Sequence, residues 1–325
     1  MNENNITFTA DESGAGKRLD AFLTEHIEGW SRSRLQRLIE TGDILVNEKE
    51  VKASYKIREG DEIDVDLTEA PVAKFEPENI PLNIVFEDDV LAVINKPAGM
   101  IVHPGAGVSN GTLANALAYH FGVGVSELHG SDEQSNIQDL KSRIGIVHRL
   151  DKDTSGLIVV AKDEGVHEAL AEQFRNREVY KSYVALVHGN PQENSGTIDR
   201  PLARDRWHRT KMTVAANGRS ALSIWKVRQR FEKFALVDVE IKTGRTHQIR
   251  VHLASINHPV VGDSTYNEGR DNTIADHDIR RAVETLNRFF LHAERLSFTH
   301  PKTQERLEFV QAIPAELQTL LENVK

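Results

Sequence analysis

Nine residues near the middle of the chain, HRLDKDTSG (His148 to Gly156), set two aspartates, Asp151 and Asp153, among the basic side chains His148, Arg149 and Lys152. Taken alone, an acidic residue flanked by basic ones has the composition of a solvated surface ion pair. The following residues argue against a surface. GLIVVAK (Gly156 to Lys162) is too apolar for a solvent-facing strand, so a carboxylate in the turn feeding it is held near the interior. There it must be paired or hydrogen-bonded to stay charged. Arg149 is near in sequence and always charged. An ionised, positioned carboxylate with little water around it is equipped to act as nucleophile or base. Asp151 and Asp153 would face opposite sides if extended. They are therefore a poor pair for glycoside hydrolysis, which needs two carboxyls flanking one bond.

A sheet with helices against it must position such a carboxylate. DVLAVINKPAGMIVHPG predicts an apolar strand, a Pro–Gly turn and a second short strand; GTLANALAYHF predicts a helix. HGSDEQSNIQDLKSR (residues 129–143) is polar and reads as a loop, as does the glycine-rich GAGVSNG, which fits no phosphate-loop spacing. After the aspartates come a helix in VHEALAEQFRNREV, a strand in KSYVALVHG and a strand in FALVDVEIKTG. THQIRVHLASINH predicts a helix with Ile249, Leu253 and Ile256 on one face, and Arg250 about 100° from Ile249. LHAERLSFTHP and LEFVQAIP predict short strands. Strands and helices without regular alternation imply an α+β domain around a mixed, largely antiparallel sheet.

Ahead of it, residues 16–69 form a smaller helical and β unit, after an N-terminal tail (1–15) and before a proline-containing linker (70–82) and the large domain (83–325). In KRLDAFLTEHI, Leu19, Phe22, Leu23 and Ile27 share a helical face; in SRSRLQRLIETG, Leu35, Leu38 and Ile39 do, with Gly42 as stop. DILVNEKEV predicts a hairpin about Asn47, and EGDEIDVDL alternates like a half-buried strand.

The formal net charge of −9 argues weakly against nucleic acid, but charge is unevenly distributed. From Arg200 to Lys233 ten basic residues face two acidic ones, Asp205 and Glu232, with Trp207 and Trp225 among them. That composition suits a phosphate-binding face or a solvated strand-rich surface. Zero cysteines exclude disulfides, thiolate catalysis and Cys-based metal sites. No HExxH pairing exists among the fourteen histidines, so no metal is expected. No apolar run is long enough to span a membrane, and the N-terminus does not read as a secretory signal. The expected location is the cytoplasm.

GIVHRLDKDTSGLIVVAK resembles the signature of the RluA/RluD-type pseudouridine synthases, which isomerise uridine in RNA to its carbon-linked form. Four further blocks match the family in its order: VINKPAGMIVHPG, REVYKSYVALVHG, TGRTHQIRVHLASINHPVVGDSTY and LHAERLSFTHP. GKRLDAFL, SRSRLQRLIETGDILVNEKEV and SYKIREGDEIDV resemble the RNA-binding domain of small-subunit ribosomal protein four. The resemblance implies catalytic roles for Asp151, with Arg149 in its turn, Tyr183 against the target base and Arg250 as ion-pair partner of the aspartate. It places RNA contacts on Arg32, Arg34 and Arg37. The basic segment adds Arg206, Arg209 and Lys211. The reaction loses no atom and changes no oxidation state, so no cofactor is implied. Three first steps remain open for Asp151: attack on the sugar, attack on the base, or removal of a ribose proton. The expected partner is ribosomal RNA of the large subunit, with transfer RNA next, for a monomer. A non-catalytic RNA-binding assembly factor and a nucleosidase or glycoside hydrolase are the competing readings.

Overall fold

The structure is a computed structural model of the 325-residue chain. It describes residues 5–27, 30, 32–67, 76–104, 108–122, 145–208 and 210–324; of these, the side chains of Asn5, Ser33, Arg34, Arg37 and Thr41 are not described. The chain divides into two units, Met1–Lys74 and Phe75–Lys325.

The first unit comprises β1 (Asn5–Thr9), α1 (Leu19–His26), α2 (Arg32–Thr41), β2 (Ile44–Val46), β3 (Lys49–Glu50) and β4 (Glu62–Asp66). The strands form an antiparallel sheet in the order β1-β4-β2-β3. The segment expected as an N-terminal tail therefore contains a strand. β1 takes up the free edge of β4, whose backbone groups would otherwise lack partners. The apolar faces of both helices bury Leu19, Phe22, Leu23, Leu35, Leu38 and Ile39 against Ile44, Val46, Ile63 and Val65. Gly42 ends α2 at φ +83°, a conformation that glycine adopts without a Cβ penalty. Asn47 and Glu48 both have positive φ, as a two-residue hairpin turn of the I′ type requires.

In the second unit, β5 (Ile84–Glu87), β6 (Leu91–Lys96), β7 (Ser155–Ala161), β8 (Tyr180–His188), β9 (Ser195–Asp199), β12 (Leu222–Arg230), β13 (Phe234–Ile241), β14 (Leu291–Thr299) and β15 (Arg306–Val310) make one sheet. Its order is β5-β6-β7-β14-β8-β13-β12-β9, with β15 on β14. β7 and β14 run parallel and the other pairs antiparallel. β10 (Leu202–Arg204) and β11 (Met212–Val214) form a separate two-stranded ribbon. The helices are α3 (Leu113–His120), α4 (Glu164–Arg175), α5 (Gln248–Ser255), α6 (His277–Leu286) and α7 (Ala315–Asn323).

The sheet has apolar cover on both faces, which explains the unbroken apolar run in β7. Ile158 and Val160 join Ala92, Ile94, Leu117 and Leu253 in one core cluster; Leu157, Val159 and Ala161 join Leu91, Val93 and Leu170 in another. α3 begins with a capping box between Thr112 and Asn115, and the Asp163 carboxylate caps α4 through Val166 N–H. α6 and α7 were not anticipated. α6 starts at an Asp276 cap and packs Val283, with the partly buried Ile279, Ala282 and Leu286, against the core, leaving the rest of its surface polar. Residues 101–104, expected as a short strand, are not one. Of the expected linker, 70–75 lies outside the described residues. Residues 76 and 78 are fastened to the start of α3: Asn115 Nδ2 donates to Glu76 O and Glu78 N–H to Asn115 O. The loop expected at 129–143 also lies outside the described residues.

Candidate active site

Asp151 occupies the first position of a tight turn closed by Thr154 N–H donating to Asp151 O at 3.1 Å. Aspartate favours that position, and the turn delivers the chain directly into β7. Two glycines set its approach. Gly145, at φ +75°, lies so near β7 that a Cβ would sit 1.8 Å from Ala161 O. Gly156, at φ +114°, lets β7 reach β14, where a Cβ would sit 2.3 Å from Ala293 O. Between them, His148 Nε2 accepts Val159 N–H at 3.0 Å, and its ring stacks on Phe174. Burial, then the Lys181 charge, push its pKa down to about 3, so this histidine serves as a neutral brace.

The turn is also held from below. Lys96, at the end of β6 and fully buried, donates from Nζ to Pro97 O, Met100 O and Lys152 O at 2.8, 2.9 and 3.0 Å. Three carbonyls match the three hydrogens of an ammonium group. Burial, then the Arg288 charge, push its pKa down to about 7, against the pull of Asp153 and Asp151. Ser155, the first residue of β7, accepts from Arg288 Nη2 at 3.0 Å and lies 2.9 Å from His292 Nδ1. The sequence signal for Lys96 is a lysine closing an otherwise apolar strand.

Arg250 reaches Asp151 from the first turns of α5, its Nη1 lying 3.3 Å from Oδ2. Its other edge is taken by Asp263, with Nε and Nη2 donating to the two carboxylate oxygens at 2.7 and 2.8 Å. The guanidinium lies 4.2 Å from the Phe289 ring centroid and 5.0 Å from that of Tyr266. Burial would lower its pKa, but hydrogen bonds and charge from Asp263, then Asp151, raise it. This fixed cation gives a half-buried carboxylate its charge partner while leaving it half free. Among the described residues Asp151 Oδ1 makes no hydrogen bond, and the side chain keeps 18% of its exposure. Asp263 went unseen in the sequence because no local pattern marks it.

Tyr183 lies on β8 opposite Val239 of β13 and Ala293 of β14, and is 6% exposed. Burial, then the Asp151 charge, push its pKa up, so it presents a neutral phenol beside the carboxylate. Arg149, expected in the same constellation, is exposed and makes no hydrogen bond or ion pair among the described residues. The turn that aims Asp151 inward carries its neighbour outward. Among the described residues no group of three His, Asp or Glu side chains could hold a metal ion. No helix there is long and apolar enough to cross a membrane.

The basic segment is less uniform than its composition. Arg200 donates to Ser255 O, Arg228 pairs with Asp238 and Glu294, and Arg230 binds Pro191 O, Glu193 O and Asn194. Lys211 spends its Nζ on Thr265 O at 3.0 Å. Arg204, Arg206, Arg219 and Lys226 are exposed without side-chain partners among the described residues. Trp207, next to Arg206 in the β10–β11 turn, is 89% exposed. Arg209 lies outside the described residues. In the first unit, Arg32 binds the buried Asp20 carboxylate together with Arg18 and Gln36. That is a structural commitment the sequence reading did not foresee. The side chains of Arg34 and Arg37 lie outside the description.

The sequence profile of RNA pseudouridylate synthases matches residues 90–255, and that of the S4 domain matches residues 17–63. The chain is 39% identical over 322 residues to an uncharacterized RNA pseudouridine synthase of Bacillus subtilis, covering 99% of both chains. It is 41% identical over 325 residues to the ribosomal large subunit pseudouridine synthase D of Nitrosomonas europaea, covering 100% of this chain and 89% of that one. Among solved structures it resembles human RNA pseudouridylate synthase domain containing 4, with TM-score 0.54 and 26% identity over 74% of this chain and 92% of that one. A second human structure, RNA pseudouridylate synthase domain containing 1, shares the fold at TM-score 0.53 and 24% identity, over 79% of this chain and 97% of that one.

Proposed function

Because the chain belongs to the RNA pseudouridylate synthase family, we propose that Asp151 is its catalytic carboxylate, Arg250 the cation that aims it and Tyr183 the face that holds the uracil. The chain is an RNA pseudouridine synthase with an N-terminal S4 domain. The bond from uracil N1 to ribose C1′ breaks, the base turns, and C5 bonds to C1′. C5 gives up its proton and N1 gains one, so the atoms balance.

The observation that carries the assignment is the Asp151–Arg250 pair, in which one carboxylate oxygen is held and the other makes no hydrogen bond among the described residues. A carboxylate so held is positioned before the substrate arrives, which removes an ordering cost from the chemical step. The neutral Tyr183 phenol suits the other requirement, holding the detached base away from water. The target base must first leave its stack, costing a few kcal/mol that contacts to the RNA backbone offset. Arg206 and other exposed cations of the segment suit such contacts, and Arg34 and Arg37 of the S4 domain are assigned RNA contacts of their own. Arg32, bound to Asp20, serves mainly to order that domain. The substrate we assign is large-subunit ribosomal RNA, as the printed names of several relatives have it, acted on in the cytoplasm by a monomer.

The test is a position-resolved pseudouridine map of ribosomal and transfer RNA from a deletion strain carrying either the wild-type protein or Asp151→Asn. Sites present with the first and absent with the second are expected in large-subunit RNA. Identical maps would remove Asp151 from the reaction, and sites confined to transfer RNA would replace the substrate.

A further inference from the structure

Tyr266 joins two parts of the second unit that the reaction uses separately. Its hydroxyl accepts Met212 N–H, from β11, at 2.8 Å and lies 2.7 Å from Nδ1 of His247, the residue preceding α5. The face of the same ring covers the Arg250 guanidinium. One residue earlier, Thr265 O accepts from Lys211 Nζ. The β10–β11 ribbon, with Arg206 and Trp207 in its exposed turn, is thereby tied to the segment that pairs Arg250 with Asp263. Asp205 orders that turn by accepting Trp207 N–H and His208 N–H at 2.8 and 2.7 Å.

Hydrogen counting constrains the histidine. The phenol oxygen already accepts from Met212, and among the described residues Nδ1 of His247 is the acceptor within reach of its own hydrogen. That requires a neutral imidazole with its hydrogen on Nε2, which makes no hydrogen bond among the described residues. His247 itself sits at φ +55°, a left-handed conformation uncommon outside glycine, in which histidine is enriched along with asparagine and aspartate. The groups whose charge it feels are Asp151 and Arg149 from the catalytic turn, Arg250 from α5 and Asp263 from the turn beyond it. Burial is the largest influence and favours the neutral ring; Arg250 and Arg149 act with it, Asp151 and Asp263 against it.

We propose that Tyr266 is a positioning residue for the reaction, holding His247 as an Nε2–H donor to the RNA at the Asp151 centre and locking the ribbon to that centre. The proposal rests on the pseudouridine synthase reading above. Grip on the RNA by the ribbon and capture of the target nucleotide are then coupled through one hydroxyl.

Tyr266→Phe removes that hydroxyl and keeps the ring over Arg250. The assay is release of tritium from RNA carrying 5-tritiated uridine, followed against pH, with thermal unfolding in parallel. The expected result is a fall in kcat/KM of about 10–100-fold. The acid limb of the profile should also move to higher pH, because an imidazole that no longer receives the phenol hydrogen protonates more readily, and the resulting cation competes for the Asp151 carboxylate whose charge acts on it. A merely structural role would lower the unfolding midpoint and leave the limb in place. An unmoved limb in a folded Tyr266→Phe protein overturns the proposal. Should that variant not fold, His247→Gln and His247→Ala decide the matter. Glutamine keeps an N–H donor near the Nε2 position and should retain at least about tenfold more kcat/KM than alanine, consistent with a donor role; equal losses overturn it. Absence of tritium release by the wild-type protein would instead defeat the underlying reading.

Discussion

Replacing Asp263 by asparagine separates the aiming of the catalytic carboxylate from the carboxylate itself. Asp263 is 1% exposed and takes two N–H bonds from Arg250, with Thr265 N–H on Oδ1 at 3.1 Å. An asparagine of the same shape offers one oxygen and one NH2, so one guanidinium donor meets another donor. Breaking a buried ion pair from one side costs about 3–5 kcal/mol. The remaining amide oxygen and Asp151 still serve the Arg250 cation, which places the expected loss near the lower end, about 3 kcal/mol. For a domain of this size that is a drop in unfolding midpoint of about 6–12 °C. The effect on chemistry follows from charge. Without Asp263, Arg250 draws closer to Asp151 and engages Oδ1, which makes no hydrogen bond among the described residues. We expect kcat to fall by about 100-fold, with KM changed by less than about threefold, because geometry at the reacting atoms is lost and RNA contacts are not. Tritium release from 5-tritiated uridine RNA measures the first, and differential scanning calorimetry the second. A kcat within about twofold of wild type and a midpoint within about 2 °C would refute the reasoning that Asp263 holds Arg250 for catalysis.

Lys96→Met keeps the length of the side chain but strips donors from Pro97 O, Met100 O and Lys152 O. Relief of the buried charge offsets part of the loss, so we expect a destabilisation of about 2–4 kcal/mol in denaturant melts, together with a kcat lowered by about tenfold or more as the Asp151 turn loosens. In the first unit, hydrogen bonds from Arg18, then from Arg32 and Gln36, outweigh burial and hold the Asp20 carboxyl below its usual range. A depressed carboxylate contributes stability that is present above its unfolded value of 3.8 and lost as pH falls through the folded one. Hydrogen exchange in Leu19–Ile27 should therefore accelerate below about pH 4, and Asp20→Asn should remove that dependence. Affinity for RNA should fall linearly with salt on logarithmic axes, and Arg206→Ala should reduce the slope by about 0.7–0.9; an unchanged slope would show that Arg206 does not face phosphate.

Much of the local architecture is legible in the sequence because its causes are local. Period-two alternation in β4, the apolar faces of α1 and α2, and the stop at Gly42 each depend on residues a few positions apart. β7 read as buried for the same reason: seven residues without an exposed side chain need cover on both faces of a sheet. β1 was missed because a strand at an edge is defined by its partner, and that partner is β4, more than fifty residues away. α6 carries an apolar stripe at helical spacing, Ile279, Ala282, Val283 and Leu286, and this periodicity is the signal that could have found it.

The sequence alone determined that an aspartate stands in a turn feeding a buried strand, and that such a carboxylate needs a cation. The five ordered blocks that resemble the pseudouridine synthases named that cation as Arg250. Only the tertiary structure decided how the pairing is made. Arg149, two residues from Asp151, is carried outward by the turn, whereas Arg250, separated by 99 positions, is brought to 3.3 Å. Asp263 behind it, Lys96 beneath the turn and Tyr266 against β11 belong to the same category. The physical reason is common to all four. Secondary structure arises from interactions between near neighbours, which leave a periodic trace in the chain. A buried charge network is satisfied by whichever side chains the packed elements bring together, and separation along the chain leaves no trace of that.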